Sequence, residues 1–189
     1  MVIEQTLVLI KPDAVQRSLI GKIITRFEEA GLKIAGIRMI QPSKDIAGKH
    51  YIFDEEWARK LFNRTKEAYE KENKKLNYKD HLHLGNEIRE RNIIFLQEGP
   101  IVVIVIEGPH AIELVRKMLG HTEPRQALPG TIRGDFASID SYAIADVKKR
   151  PLRNLIHASD TLANAKREID LWFTKDEVHN YKKDLDKHF

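Results

Sequence analysis

The residues best suited to chemistry lie late in the chain, in Arg153-Asn154-Leu155-Ile156-His157-Ala158-Ser159-Asp160. His157 is the candidate nucleophile, because a neutral imidazole is abundant near pH 7 and offers an unprotonated ring nitrogen to a transferred group. Ser159 and Asp160 are good N-cap residues, and Leu162, Ala165 and Ile169, with Trp172 and Phe173 beyond, recur at helical spacing. The sequence therefore predicts a helix starting just after His157, whose unsatisfied N–H groups and positive dipole end would favour a phosphate on or near that histidine. Taken alone, the octapeptide is read more economically as a loop histidine before a capped helix. The rest of the chain changes that balance.

No G-x-x-x-x-G-K-[ST] loop and no G-x-G-x-x-G after a strand occurs, so a nucleotide site would have to be built from side chains. Lys11, Arg116, Thr122, Arg133 and Asn154 are the candidates, each in a turn or near an element end. His81-Leu82-His83 could set two imidazoles on one side of a strand for a metal, but nothing nearby completes the site, so two solvent-facing histidines are expected. The absence of cysteine excludes disulfides and thiolate chemistry and suits a reducing compartment. Strand-like residues begin at Thr6, leaving no room for a signal peptide, and the longest apolar run, Ile101–Ile106, is far short of the ~20 residues of a membrane helix. A cytoplasmic location and no membrane partner are expected. The net charge of +4 favours anionic partners only weakly, being small beside 32 basic and 28 acidic residues; nucleic acid is compatible with it but not indicated.

The elements that must position these residues are legible as patterns. Thr6–Ile10 is an apolar run of the kind buried on both sheet faces, ending at Lys11-Pro12-Asp13, where Asp13 is expected to cap a helix. Val15, Leu19, Ile20, Ile23, Ile24 and Phe27 follow helical spacing up to a stop at Gly31, and Leu32–Ile40 reads as a second strand with a bulge at Gly36. Asp45–Phe62 reads as a helix, and Asn63–Asn92 as an inserted, solvated, partly helical segment. Ile101–Ile106 is the central strand, turned at Gly108-Pro109 into a helix through Ala111, Val115 and Leu119 that ends at Gly120. A fourth strand and a loop are expected within Phe136–Val147, and a charged, peripheral tail from Lys175. Two strand-helix-strand halves predict an α+β, ferredoxin-like (βαββαβ) sandwich: a four-stranded antiparallel sheet with helices, one domain over 1–189 with inserted segments at 63–92 and 138–151. Such a fold does not name its chemistry.

Four blocks narrow it. Ile10-Lys11-Pro12-Asp13-Ala14-Val15-Gln16-Arg17, Met118-Leu119-Gly120-His121-Thr122, Pro129-Gly130-Thr131-Ile132-Arg133-Gly134-Asp135-Phe136 and Asn154-Leu155-Ile156-His157-Ala158-Ser159-Asp160 resemble the nucleoside diphosphate kinase family, in family order. The resemblance runs from Glu4 to Val178, except for Asn63–Asn92 and a stretch within Ser138–Pro151 that the compact family pattern lacks.

The resemblance implies ping-pong transfer of the γ-phosphoryl group of ATP or another nucleoside triphosphate to a nucleoside diphosphate, through a phosphohistidine at His157. It implies that Glu168 orients His157, supported by Ser159; an exposed ion pair is the competing role for Glu168, and helix capping for Ser159. Lys11 matches a phosphate and ribose contact, Arg116 and Arg133 match phosphate-binding arginines, Thr122 a phosphate contact, Asn154 a ribose-hydroxyl contact and Tyr51 a site-lining tyrosine. Dipole pairing for Arg116, turn bonding for Asn154 and core packing for Tyr51 are the ordinary alternatives. Mg2+ is expected to arrive with the nucleotide, since no carboxylate cage is visible. The family's assemblies imply a homo-hexamer or another dimer-based oligomer. Ala158 departs from the family's glycine; its methyl opposes positive φ and is expected to crowd the approach to His157 without abolishing activity. The alternative class is a non-catalytic nucleotide or nucleic-acid-binding module on the same fold, although the strands are aliphatic where such modules carry stacking aromatics.

Overall fold

The inner half of β1 (Ile3–Ile10) is buried on both faces: Leu7, Val8, Leu9 and Ile10 are all fully covered. It is covered because it lies inside the sheet, whose order is β2-β3-β1-β4, with β2 at Lys33–Ile40, β3 at Ile101–Pro109 and β4 at Ile156–Ala158. All three pairings are antiparallel, and β4 registers on β1 through Val8↔Ala158, Leu9↔His157 and Ile10↔Ile156. The chain is described from a computed structural model over residues 3–71 and 75–184.

The helices are α1 (Pro12–Gln16), α2 (Ile20–Glu29), α3 (Lys44–His50), α4 (Glu55–Lys71), α5 (His81–Leu96), α6 (Ala111–Leu119), α7 (Ile132–Phe136), α8 (Tyr142–Val147) and α9 (Leu162–Trp172). Alternation along the strands splits the core into two layers. Val8, Ile10, Ile104, Ile106, Ile156 and Ala158 pack with Phe27 of α2 and Val115 of α6, whereas Leu7, Leu9, Val103 and Val105 pack with Ala47, Ile93, Leu96 and Trp172. His157, opposite Leu9, therefore faces the second layer, towards α3, α5 and α9. This is the expected ferredoxin-like arrangement, with the stops at Gly31 (φ 77°) and Gly120 (φ 78°) where the sequence put them and the bulge between Ile34 and Gly36, one residue before the expected glycine. Among the described residues no helix is long and apolar enough to cross a membrane.

Several local expectations are corrected. The helix after β1 is broken by Ser18 at φ 55°, and Asp13 caps nothing: its carboxylate accepts the Leu155 N–H. The span Asp45–Phe62 is two helices separated at Tyr51–Asp54, the first capped by Ser43. Segment 63–92 is largely the body of α4 and α5, two helices that close on each other where a Cβ on Gly85 would lie 2.7 Å from that of Ala58; residues 72–74 lie outside the described residues. Its weak periodicity arose because each helix also buries a face against the other. His81 and His83 sit on α5, not on a strand, and approach Glu55 and Glu87.

No strand occurs in 136–147, which holds the end of α7 and the Ser141-capped α8; Tyr142-Ala143-Ile144-Ala145 satisfies a period of two and a helical turn alike. β3 continues through Gly108-Pro109 and turns at His110 instead, φ 52°. The tail from Lys175 is bonded to the sheet edge, His179 N–H donating to the Ala35 carbonyl; its last part, 185–189, lies outside the described residues.

Candidate active site

β4 holds His157 half-buried, and α9 brings Glu168 beside it: Nε2 lies 3.0 Å from Glu168 Oε2. The same oxygen accepts the Ser159 hydroxyl at 2.6 Å, and Oε1 accepts from Arg167 at 3.1 Å. Burial pushes the Glu168 carboxyl upward, but the hydrogen bond and charge of His157, the neighbouring His50 and the Ser159 hydroxyl outweigh it and hold the group at about 2. An ionised carboxylate only accepts, so the His157 proton belongs on Nε2 and the lone pair on Nδ1. Nδ1 thereby carries the free lone pair of the ring. Helix α9 is capped by Thr161, not by Ser159 or Asp160, and His157 is tied to its second turn rather than aimed at its first. The helix dipole is thus not what prepares this histidine, as the sequence suggested; a buried carboxylate is.

Around this pair stands a hydrogen-bonded set of cations and amides. Lys11 is 7% exposed and donates to Asn154 Oδ1 at 2.8 Å, while Asn154 Nδ2 donates to the Thr122 carbonyl at 3.0 Å. Desolvation lowers the Lys11 pKa to about 8; Asp13 opposes the shift and Arg133 and Arg153 add to it. Arg133 is buried and donates to the carbonyls of Asn154, Gly120 and Ile156 at 3.2, 2.9 and 2.7 Å, leaving two of its five N–H groups for a ligand. Burial, with Arg116 nearby, lowers its pKa to about 10. Arg116 takes no part in these bonds; it is exposed on the last turn of α6, in an open groove of about 610 Å³ with Asp160, Thr161 and Leu162. Thr122 is exposed in the loop after Gly120.

Tyr51 reaches the histidine through a residue the sequence reading missed. His50 is 3% exposed; its ring meets that of His157 edge-on at 4.7 Å and that of Tyr51 at 4.8 Å. Trp172 Nε1–H donates to its Nδ1, and burial, before the repulsion of His157, keeps it neutral. Its position beside Tyr51 at the end of a short helix was the available signal, but a histidine in an apolar stretch reads as core until the partner ring is known. Ala158 has ordinary backbone φ, and its methyl packs into the layer opposite His157, so it does not crowd the nucleophile as expected.

A divalent cation finds few free ligands here. His50, His157 and Glu168 bring ligand atoms within 4.8 Å of one another, but Glu168 is engaged at both oxygens, and Lys11, Arg116 and Arg133 are cations. That donor set fits a cation held by phosphate oxygens and water rather than by a protein cage.

A histidine with one nitrogen fixed by a buried carboxylate and the other free, set on a βαββαβ sheet beside buried cations, is an arrangement chemically suited to phosphoryl transfer through the ring. The nucleoside diphosphate kinase family profile matches residues 4–73 and 66–178. The chain is 43% identical over 182 residues to the nucleoside diphosphate kinase of Pyrobaculum aerophilum, covering 94% of this chain and 99% of that one. The crystal structure of an NDP kinase from Pyrobaculum aerophilum superposes with a TM-score of 0.89 at 39% identity, over 95% of this chain and all of that one. A transition-state mimic of the nucleoside-diphosphate kinase from Borrelia burgdorferi, with bound vanadate and ADP, gives 0.81 at 36% identity, over 98% and 96%. The chain belongs to the nucleoside diphosphate kinase family.

Proposed function

We propose that this chain is a nucleoside diphosphate kinase in which Nδ1 of His157 carries the phosphoryl group between substrates. The observation that carries the reading is the 3.0 Å bond from His157 Nε2 to an ionised Glu168, because it assigns the lone pair to Nδ1. In the first half-reaction Nδ1 attacks the γ-phosphorus of a nucleoside triphosphate, the bond to the β–γ bridging oxygen breaks, and the nucleoside diphosphate leaves with that electron pair. The ring gains positive charge as the N–P bond forms, and Glu168 stabilises it, itself held by Ser159 and Arg167. In the second, a terminal oxygen of another nucleoside diphosphate takes the phosphoryl group and the lone pair returns to Nδ1. One pocket serves donor and acceptor in turn.

Lys11, Arg116 and the two uncommitted N–H groups of Arg133 neutralise phosphate charge, the Thr122 hydroxyl adds a phosphate contact, and Asn154 with Lys11 meets the ribose. Tyr51 lines the site. Mg2+, carried in on the phosphates, supplies further charge neutralisation. Segments 63–92 and 138–151 are insertions into the compact family pattern within a single domain. Exposed Ile37 and Met39 on β2, and Leu128, Ile139 and Val147 outside the sheet, support burial in a homo-oligomer, a hexamer or another dimer-based assembly. The cytoplasm, where nucleotides and Mg2+ are abundant, is its place.

The test is incubation with γ-labelled ATP and Mg2+ without acceptor, beside His157→Ala. Acid-labile, base-stable label that is discharged by added nucleoside diphosphate and absent from the variant is the expected result. Nucleotide binding without label on the wild-type chain would refute transfer and leave a binding module.

A further inference from the structure

Segment 138–151 lies outside the compact family pattern, yet its strongest bonds run into the corner that carries Asn154. Asp140 is 6% exposed, and its carboxylate accepts two hydrogen bonds from Arg150, at 2.8 and 2.9 Å, and a third from the Arg153 N–H at 2.7 Å. Its backbone is engaged as well: the Arg125 N–H donates to the Asp140 carbonyl, and the Asp140 N–H to that of Ala137. Two residues on, the Tyr142 N–H donates to Glu123, another buried carboxylate, adjacent to Thr122. The segment is thus fastened on both sides of the bond between Asn154 and the Thr122 carbonyl.

The corner needs such fastening. Leu155 stands at φ 66°, a conformation that bulky L-residues rarely adopt, so the turn between Asn154 and β4 does not keep its shape by local preference. Asp13 holds one side through the Leu155 N–H, and Asp140 holds the other through the Arg153 N–H. Between them the Asn154 amide is presented to Lys11 on one edge and to Thr122 on the other. Arg150 saturates the rest of the Asp140 carboxylate, so the group has little freedom to swing away from the Arg153 N–H.

We propose that Asp140 is a positioning residue for the nucleotide sugar: from inside the inserted segment it fixes Arg153 and Asn154, so that the Asn154 amide and Lys11 meet the ribose hydroxyls in register. The proposal rests on the reading of Asn154 and Lys11 as ribose contacts in a phosphohistidine kinase. Asp140 hydrogen-bonds to Arg150 and to the Arg153 N–H and to none of Lys11, Arg116, Arg133 or His157, so it acts through Asn154 and its effect is read at the sugar.

The test compares the full-length wild type with Asp140→Asn and Asp140→Ala. Labelling of His157 from γ-labelled ATP is scored first, and kcat and KM are then measured with a ribonucleoside diphosphate and its 2′,3′-dideoxy counterpart as acceptor. The wild type is expected to prefer the ribose substrate. In Asp140→Ala that preference falls by about tenfold, the size of one well-placed hydrogen bond, through a raised KM for the ribose substrate, while labelling persists. Asp140→Asn falls between, because its amide oxygen still accepts the Arg153 N–H; it carries the test alone if the alanine variant does not fold. An unchanged preference, or an equal loss for both acceptors, overturns the proposal, since a purely structural role has no reason to distinguish the sugar hydroxyls. A wild type that takes up no label brings down the kinase reading first, and the proposal with it.

Discussion

Truncating Glu168 to alanine, with His157 left in place, tests the central link of the mechanism. The carboxylate sits 3.0 Å from Nε2 and is held at about 2, against an ordinary 4.5, which corresponds to about 3 kcal/mol of net stabilisation of its ionised form by the site. His157 supplies only part of that, and only the share that grows as the ring becomes positive enters the rate. A charge-assisted bond of this kind is worth about 1.5–3 kcal/mol, so phosphorylation of His157 should slow by about 10- to 150-fold. Loss of the carboxylate also frees the ring to place its proton on Nδ1, which lowers the reactive fraction further. Rapid-quench measurement of labelled phosphohistidine at saturating ATP reads the step directly, with thermal unfolding as the check on folding. A rate within about threefold of wild type, with label still on His157, would show that Glu168 is merely an ion-pair partner of Arg167 and that the tautomer argument is wrong.

Three further outcomes are expected. Lys11 is useful to phosphate only as the ammonium, and with its pKa brought down to about 8, kcat/KM should fall as pH rises through that value; an alkaline limb that begins only near 10 would refute it. Its depressed pKa also disfavours the folded state while both forms are protonated, so stability in denaturant titrations should rise between pH 8 and 10.5, by up to about 3 kcal/mol. Ala158→Gly restores the family's residue but removes a buried methyl from β4, so it should cost about 1–2 kcal/mol in chemical denaturation and leave kcat within about twofold, whereas a large gain in kcat would show that the methyl does obstruct the site.

The amino-acid sequence by itself determined the continuous apolar runs of β1 and β3, the glycine stops at Gly31 and Gly120, a bulge next to Gly36 and the polar residues of the four family blocks, because each is a local pattern or a matched string. It misplaced what depends on neighbours far away in the chain. β4 is a strand only because Ile156, His157 and Ala158 pair with β1, and three residues carry no periodicity of their own. Helices α4 and α5 were hidden because each finds its apolar partner on the other, which blurs the single-stripe pattern of a surface helix. Asp13 looked like a cap and is instead the acceptor that holds Leu155 in its unusual turn. The blocks placed Lys11, Arg133 and Asn154 among the site residues, but not which of their hydrogen bonds are already spent on the backbone and on one another. Only the tertiary structure set His50 edge-on to His157 and put the Glu168 carboxylate on Nε2, and so left the free lone pair of the ring on Nδ1. Those choices are distances between residues up to 107 positions apart in sequence, from His50 to His157, and no local preference encodes such a distance.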